Sequence, residues 1–282
     1  MDYTKFNKTD KIYSGAERKI GIRVGNEDFI IKFPKKERFL IRNNHISEFI
    51  GCRIIASMGY VVQETYLGTY KDENIVAIRD FVEEGQQFVA FNDVGESSIE
   101  ANRDEFTYSY EDITDILMAN NKLSDPEETI KQFWQLYIID ALLGNFDRHG
   151  GNWGFIKEEN QYRLAPIFDN GSCLFPRMTD EDEMNKIIKS ESETNRRIYE
   201  FPRSQILLDG KKSSYYEVIS SCRFNECNAA LIDVFERFDL EVSYEIIDDI
   251  SILSEVHKIF YKHMLKSRYE ILIKDTYERL VK

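Results

Sequence analysis

Proline is scarce in this chain, with five among 282 residues, and no Gly/Ser-rich stretch, low-complexity run or internal repeat is present. Flexible linkers and repeat architectures are therefore not expected, and the chain reads as one continuous globular unit. Cysteine is scarcer still. Cys52, Cys173, Cys222 and Cys227 are scattered, and no paired cysteine or histidine cluster stands beside Cys222 and Cys227. That spacing argues against zinc and fits buried, reduced thiols in the cytoplasm. No segment approaches the roughly 20 apolar residues of a membrane helix. The polar start MDYTKFNKTDKIYSG also lacks the apolar core of a signal peptide, so membrane insertion is not expected. Positive charge is in deficit, 37 Lys and Arg against 50 Asp and Glu, a net −13. A large nucleic-acid face needs clustered cations and is not expected. The acidic balance favours solubility and permits a basic partner.

Apolar residues are plentiful: 42% of the chain, including 19 Phe and 16 Tyr. With 282 residues, this is enough for one large domain or for two lobes around a cleft. The expected fold class is α+β, with a β-rich small lobe over residues 1–85 and a mainly helical lobe over 86–282. Ile20–Val24 and Asp28–Phe33 flank a Gly25-Asn26 turn and predict a hairpin. Asn43 or Asn44 caps a helix that ends near Gly59. Strands then follow over Val61–Tyr70 and Asn74–Phe81. The clearest helix runs from Asp125 to Leu143. Asp125 suits the cap, Pro126 the first turn, and Glu127 and Glu128 the positive end of the dipole. Gly144 stops it. A hairpin is expected from Trp153–Lys157 and Tyr162–Ile167, returning Asp169 toward Asn152. Residues 229–238 and 245–282 have helical patterns.

The chemistry concentrates in Asn145-Phe-Asp-Arg-His-Gly-Gly-Asn152 and in Ile167-Phe-Asp-Asn-Gly171. Asp-x4-Asn followed about twenty residues later by Asp-x-Gly is the order of a phosphoryl-transfer site. Asp147 is the candidate base that orients an attacking hydroxyl. Asn152 and Asp169 offer the hard oxygen ligands that magnesium needs beside phosphates. The arginine and histidine follow the first aspartate instead of preceding it, and the second motif reads Asp-Asn-Gly, unlike the common eukaryotic kinase pattern. Lys32, a charge at the end of an apolar strand, suits the nucleotide-contacting lysine. Glu48 on the next helix is its candidate partner. Ser14, Gly15, Ala16 and Lys19 sit where a phosphate-covering loop belongs, although the segment matches neither common glycine-rich pattern. Arg148 and His149 read as structural.

These motifs resemble the HipA-like kinase family and, more distantly, the phosphatidylinositol 3/4-kinase group. The resemblance is carried by Ser14-Gly-Ala-Glu-Arg-Lys19, Lys32, Asn145-x-Asp-Arg-His-x-x-Asn152, Phe168-Asp-Asn-Gly171 and Phe201-Pro-Arg-Ser-Gln-Ile-Leu-Leu-Asp-Gly-Lys-Lys212 with Tyr215-Tyr216. It spans residues from about 11 to about 260. It implies a two-lobed kinase fold that uses ATP and magnesium to phosphorylate serine or threonine of a protein substrate. Asp147 would be the base, Asn152 and Asp169 the metal ligands, and Lys32 the nucleotide ligand. Many relatives are toxins held by a small DNA-binding antitoxin, so such a partner is expected here too. The chain begins at the phosphate loop, and the extra N-terminal subdomain of the long members is expected to be absent. Autophosphorylation is expected near Ser14. Two other readings use the same residues: a lipid or small-molecule kinase, and a nucleotide-binding regulatory pseudokinase.

Overall fold

The computed structural model describes residues 1–11, 13, 18–96 and 108–282. The expectation for Ser14, Gly15 and Ala16 lies outside these residues. In chain order the first elements are β1 (Asn7–Lys8), β2 (Lys19–Val24), β3 (Glu27–Lys32), β4 (Lys36–Glu37), β5 (Leu40–Ile41), α1 (Asn44–Ser57), β6 (Thr65–Tyr70) and β7 (Glu73–Arg79). They are followed by β8 (Gln86–Ala90), α2 (Phe91–Glu96), α3 (Tyr110–Ala119), α4 (Pro126–Leu143), β9 (Gly154–Glu158) and β10 (Gln161–Leu164). The remainder comprises α5 (Glu181–Ile188), α6 (Glu191–Tyr199), β11 (Arg203–Leu208), β12 (Lys211–Ser214), α7 (Tyr215–Ser221), α8 (Asn225–Arg237), α9 (Leu240–Asp248) and α10 (Glu255–Arg268). A π-helical turn (Tyr269–Lys274) and α11 (Asp275–Leu280) close the chain.

The chain divides into two compact units. The first comprises Met1–Phe81, Pro166–Lys186 and Asp239–Lys262, and the second comprises Val82–Ala165, Ile187–Phe238 and His263–Lys282. The first stretch of the first unit thus ends close to the expected division at residue 85. Two later stretches return to it, which a cut along the chain does not express.

In the first unit β1-β2-β3-β7-β6 form an antiparallel sheet. The β2–β3 hairpin turns at Gly25, whose φ of +62° is a conformation glycine adopts without strain. Because strand residues alternate between faces, Phe29 and Ile31 join Tyr3, Ile22, Tyr70 and Ala77 in a core on one face. Lys32 falls on the other, and Lys19 stands directly opposite it in register. α1 is buried nearly all round, including His45, Ser47 and Glu48. Asn43 is its N-cap position but makes no side-chain cap bond. Asn44 uses its side chain to accept from Lys35 N–H at 2.8 Å.

Two strand boundaries differ from expectation. Val61–Glu64 is not part of β6. Instead Val62 bridges Ile167, with Gln63 N–H donating to Ile167 O at 2.9 Å and Ile167 N–H to Val61 O at 2.9 Å. Likewise β10 ends at Leu164: Ala165 N–H still donates to Gly154 O at 2.9 Å, but Ile167, the next residue that would face β9, pairs with Val61 and Gln63 instead. The expected strand Tyr162–Ile167 therefore spends its last residues in the first unit.

The second unit contains the sheet β10-β9-β8 and the hairpin β11-β12. Its core is aromatic: Tyr110 stacks on Trp134 at 5.1 Å, and Phe224 lies 5.2 Å from the same ring. In α4, Asp125 Oδ1 accepts the Glu128 N–H at 3.0 Å, Pro126 occupies the first turn, and Gly144 ends the helix at φ +67°. The expected helix over 245–282 is broken instead into α9, α10, the π turn and α11. No helix among the described residues is long and apolar enough to cross a membrane.

Candidate active site

The first unit brings together Lys32, Glu48 and Asp169. Lys32 Nζ lies 2.8 Å from Glu48 Oε2 and 2.8 Å from Asp169 Oδ1. Lys32 and Glu48 are buried, whereas the Asp169 side chain is 32% exposed. Burial alone would lower the lysine pKa, but the carboxylates of Asp169 and Glu48 outweigh it and hold the ammonium above its ordinary range. Glu48 has a second layer of donors on Oε1: Gln63 Nε2 at 2.5 Å and the Asn170 N–H at 2.7 Å. A buried carboxylate needs such saturation to stay charged without a large penalty.

The Asp-Asn-Gly segment is shaped to reach this cluster. Asp169 has φ +57°, a left-handed conformation that costs a non-glycine residue of order 1 kcal/mol or more. A side chain on Gly171 would come within 3.3 Å of both Asn44 O and Glu48 Oε2. Asn170 Nδ2 donates to Cys52 Sγ at 3.3 Å. Burial, with Glu48 adding to it, pushes that thiol up to about 12, so it stays protonated and unreactive.

The second unit presents Asn145–Asn152 at the end of α4. Beneath the loop, Arg148 is clamped to Asp140 through Nε–Oδ2 at 2.8 Å and Nη2–Oδ1 at 3.0 Å, with both residues buried. Arg148 Nη1 also donates to Asn152 O at 2.7 Å. Asn145 donates to Asp140 Oδ1 at 2.8 Å and accepts from the Asp147 N–H at 3.0 Å. Tyr215 OH donates to Asn145 O at 2.9 Å, and Gln205 Nε2 donates to Phe146 O at 2.9 Å. Arg268, fully buried, donates through Nε to Ala141 O at 2.6 Å and so supplies a cation at the negative end of α4.

On this base Asp147 is exposed. Asn152 donates its amide N–H to Asp147 O at 2.8 Å, which leaves Oδ1 as the acceptor end of its side chain. Taken singly, the Asp169 carboxylate and the Asn152 amide oxygen are hard oxygen donors of the kind magnesium takes. His149 is exposed and uses Nδ1 to accept the Gly151 N–H at 3.0 Å, a local turn contact. A Cβ on Gly150 would lie 2.0 Å from Asn92 Oδ1, so the Asn92 side chain would have to turn away to admit one.

Sequence reasoning did not find Gln63, Asp140 or Arg268, and met Gln205 and Tyr215 only within the stretch that carries the resemblance, with no role assigned. Only Asp140 carried a signal: a carboxylate on the apolar stripe of α4, eight residues before Arg148, where a charge requires a partner.

The HipA-like C-terminal domain model matches residues 12–222. The chain belongs to this family. It is 36% identical over 281 residues to the serine/threonine-protein kinase CtkA of Helicobacter pylori, covering 96% of this chain and 85% of that protein. The crystal structure of that proinflammatory kinase matches at a TM-score of 0.94 and 34% identity, covering all of this chain and 97% of the other. The HipA of Shewanella oneidensis, solved with HipB and operator DNA, matches at a TM-score of 0.58 and 18% identity, covering 89% of this chain and 60% of that one. The expected HipA-like kinase fold of mixed α and β structure is therefore the fold of this chain.

Proposed function

We propose that this HipA-like chain transfers the γ-phosphate of ATP, with magnesium, to serine or threonine hydroxyls of proteins. That it is a protein kinase is supported by its near full-length similarity to a serine/threonine-protein kinase. The observation that carries the reading is Lys32 held between Glu48 and Asp169, with both bonds at 2.8 Å. That pairing keeps the lysine charged and extended, as a nucleotide-contacting lysine must be. In this proposal Lys32 and Lys19 offset phosphate charge, Asp147 orients the acceptor hydroxyl, and Asn152 and Asp169 hold magnesium. Magnesium, when bound, would offset the charge developing on the triphosphate. Ser14, Gly15 and Ala16 remain the proposed phosphate loop. The activity would be cytoplasmic.

The finer part of the proposal is a small DNA-binding antitoxin that restrains the kinase. Its test is growth of cells expressing the chain with and without the adjacent small reading frame. Growth arrest relieved by that frame supports the pair, and equal growth in both removes it. The kinase itself is tested by incubating the purified chain with labelled ATP, magnesium and protein acceptors. Label on serine or threonine is the expected result. Label on lipid alone, or nucleotide binding without transfer, would overturn it.

A further inference from the structure

Gln63 touches both halves of the Lys32 cluster at once. Its backbone N–H donates to Ile167 O at 2.9 Å, two residues before Asp169. Its side-chain Nε2 donates to Glu48 Oε1 at 2.5 Å and approaches Cys52 Sγ at 3.6 Å. The residue is 5% exposed. It lies in the irregular stretch before β6, with neighbouring Val62 bridged to Ile167.

We infer that Gln63 is a positioning residue for phosphoryl transfer: it sets the carboxylate of Glu48 and the segment bearing Asp169 in one fixed relation around Lys32. The inference rests on the kinase reading above. Glu48 has two oxygens with separate duties. Oε2 faces Lys32, while Oε1 takes Gln63 and the Asn170 N–H. With Oε1 pinned by two donors, the carboxylate plane cannot rotate, so Oε2 stays on the lysine. The Ile167 bond fixes the chain entering Asp169 from the same residue. Asn170 anchors the far side of Asp169 to the same Oε1, so the aspartate is held from both flanks.

The choice of glutamine follows from charge. A neutral amide donates to Glu48 without competing with Lys32 for it. A lysine or arginine here would offer Glu48 a second cation and weaken its hold on Lys32, and a carboxylate would repel it. The groups facing the amide are Glu48 and Cys52 on α1, with Lys32 on β3 and Asp169 one bond further away.

The test compares Gln63→Met with Gln63→Glu in the full chain. Tm, labelled-phosphate transfer and KM for ATP are measured from pH 5.5 to pH 8.5. Gln63→Met keeps the side-chain length but removes the donor. It should lower kcat/KM for ATP roughly tenfold or more at every pH. Gln63→Glu should be at least as impaired at pH 8.5 and should recover toward wild type as pH falls. A protonated carboxyl can again donate to Glu48, and recovery of kcat/KM over a pH interval in which Tm stays constant is what a merely structural role does not explain. Wild-type kinetics in Gln63→Met, or parallel pH profiles in the two variants, would overturn the inference. Absence of transfer by the wild type itself would instead overturn the kinase reading, and binding of ATP measured by titration separates the two failures.

Discussion

Lys32 and Asp147 carry the same kind of functional expectation and live in opposite surroundings. In the first unit the charged group is itself part of the buried network, since Lys32, Glu48, Gln63 and Asn170 interlock below the surface. In the second unit the network is Asp140, Arg148 and Asn145, and Asp147 is exposed beside it, with its N–H on Asn145. A group inside a network is held rigid but is also needed for stability. An exposed group beside a network, such as Asp147, is expected to matter less to the fold than to the reaction. The two units should therefore answer mutation differently.

The largest expected effect is on rate alone. Asp147→Asn should lower phosphoryl transfer by roughly 10² to 10⁴, the usual contribution of a positioned general base, while Tm and nucleotide affinity stay at wild-type values. A parallel loss of Tm would break the comparison, because it would mean that the exposed aspartate is structural after all.

Lys32→Met should combine both penalties. Glu48 would lose its cation in a buried setting, at a cost of about 4 kcal/mol, the range measured when one partner of a buried pair is removed. Transfer would fall as well. Urea unfolding and labelled-ATP turnover on the same preparation check this, and a variant that loses activity with unchanged stability would put Lys32 on the same footing as Asp147.

These contrasts also mark what was legible in the sequence. α4 could be read almost to the residue, because Asp125, Pro126 and Gly144 are local signals whose mechanism needs no distant partner. The β2–β3 hairpin was legible for the same reason. Lys32 was legible as a charge out of place on an apolar strand. Gln63 was not, because glutamine in an irregular stretch breaks no pattern, and its partner Ile167 lies about a hundred residues away in sequence. Arg268 was hidden similarly. It sits among charged residues on an amphipathic helix, and only the fold brings it to Ala141. The return of 166–186 and 239–262 to the first unit is likewise a property of topology, which periodicity does not encode.

Arg148→Met sharpens the comparison from the other side. It leaves the buried Asp140 carboxylate with Asn145 as its remaining named donor, and should cost about 3 kcal/mol. Since Arg148 also holds Asn152 O, transfer should fall too, although the residue is buried. Arg148→Lys should recover charge but not the two-pronged clamp, and so only part of the stability. Full recovery by lysine would show that the clamp geometry is unimportant to the loop.

The smallest effect concerns acid. His45 on α1 is 5% exposed, and its Nδ1 has no hydrogen-bond partner among the described residues. Burial lowers its pKa to about 4, with Glu73 opposing only weakly. An unfolded histidine titrates near 6.5. Because the folded value is the lower one, the stability that neutral His45 allows is complete above about pH 6.5. It declines as pH falls toward 4, since the unfolded chain then binds the extra proton. Between pH 7 and pH 5 the loss from this residue should be about 2 kcal/mol. His45→Asn should flatten the fall in urea-unfolding free energy over that interval by this amount, whatever the carboxylates contribute in common. Hydrogen exchange at pH 5 should show α1 less protected in the wild type than in His45→Asn, because the penalty of protonating His45 falls on that helix. An unchanged slope in His45→Asn would mean that His45 accepts its proton without leaving the core.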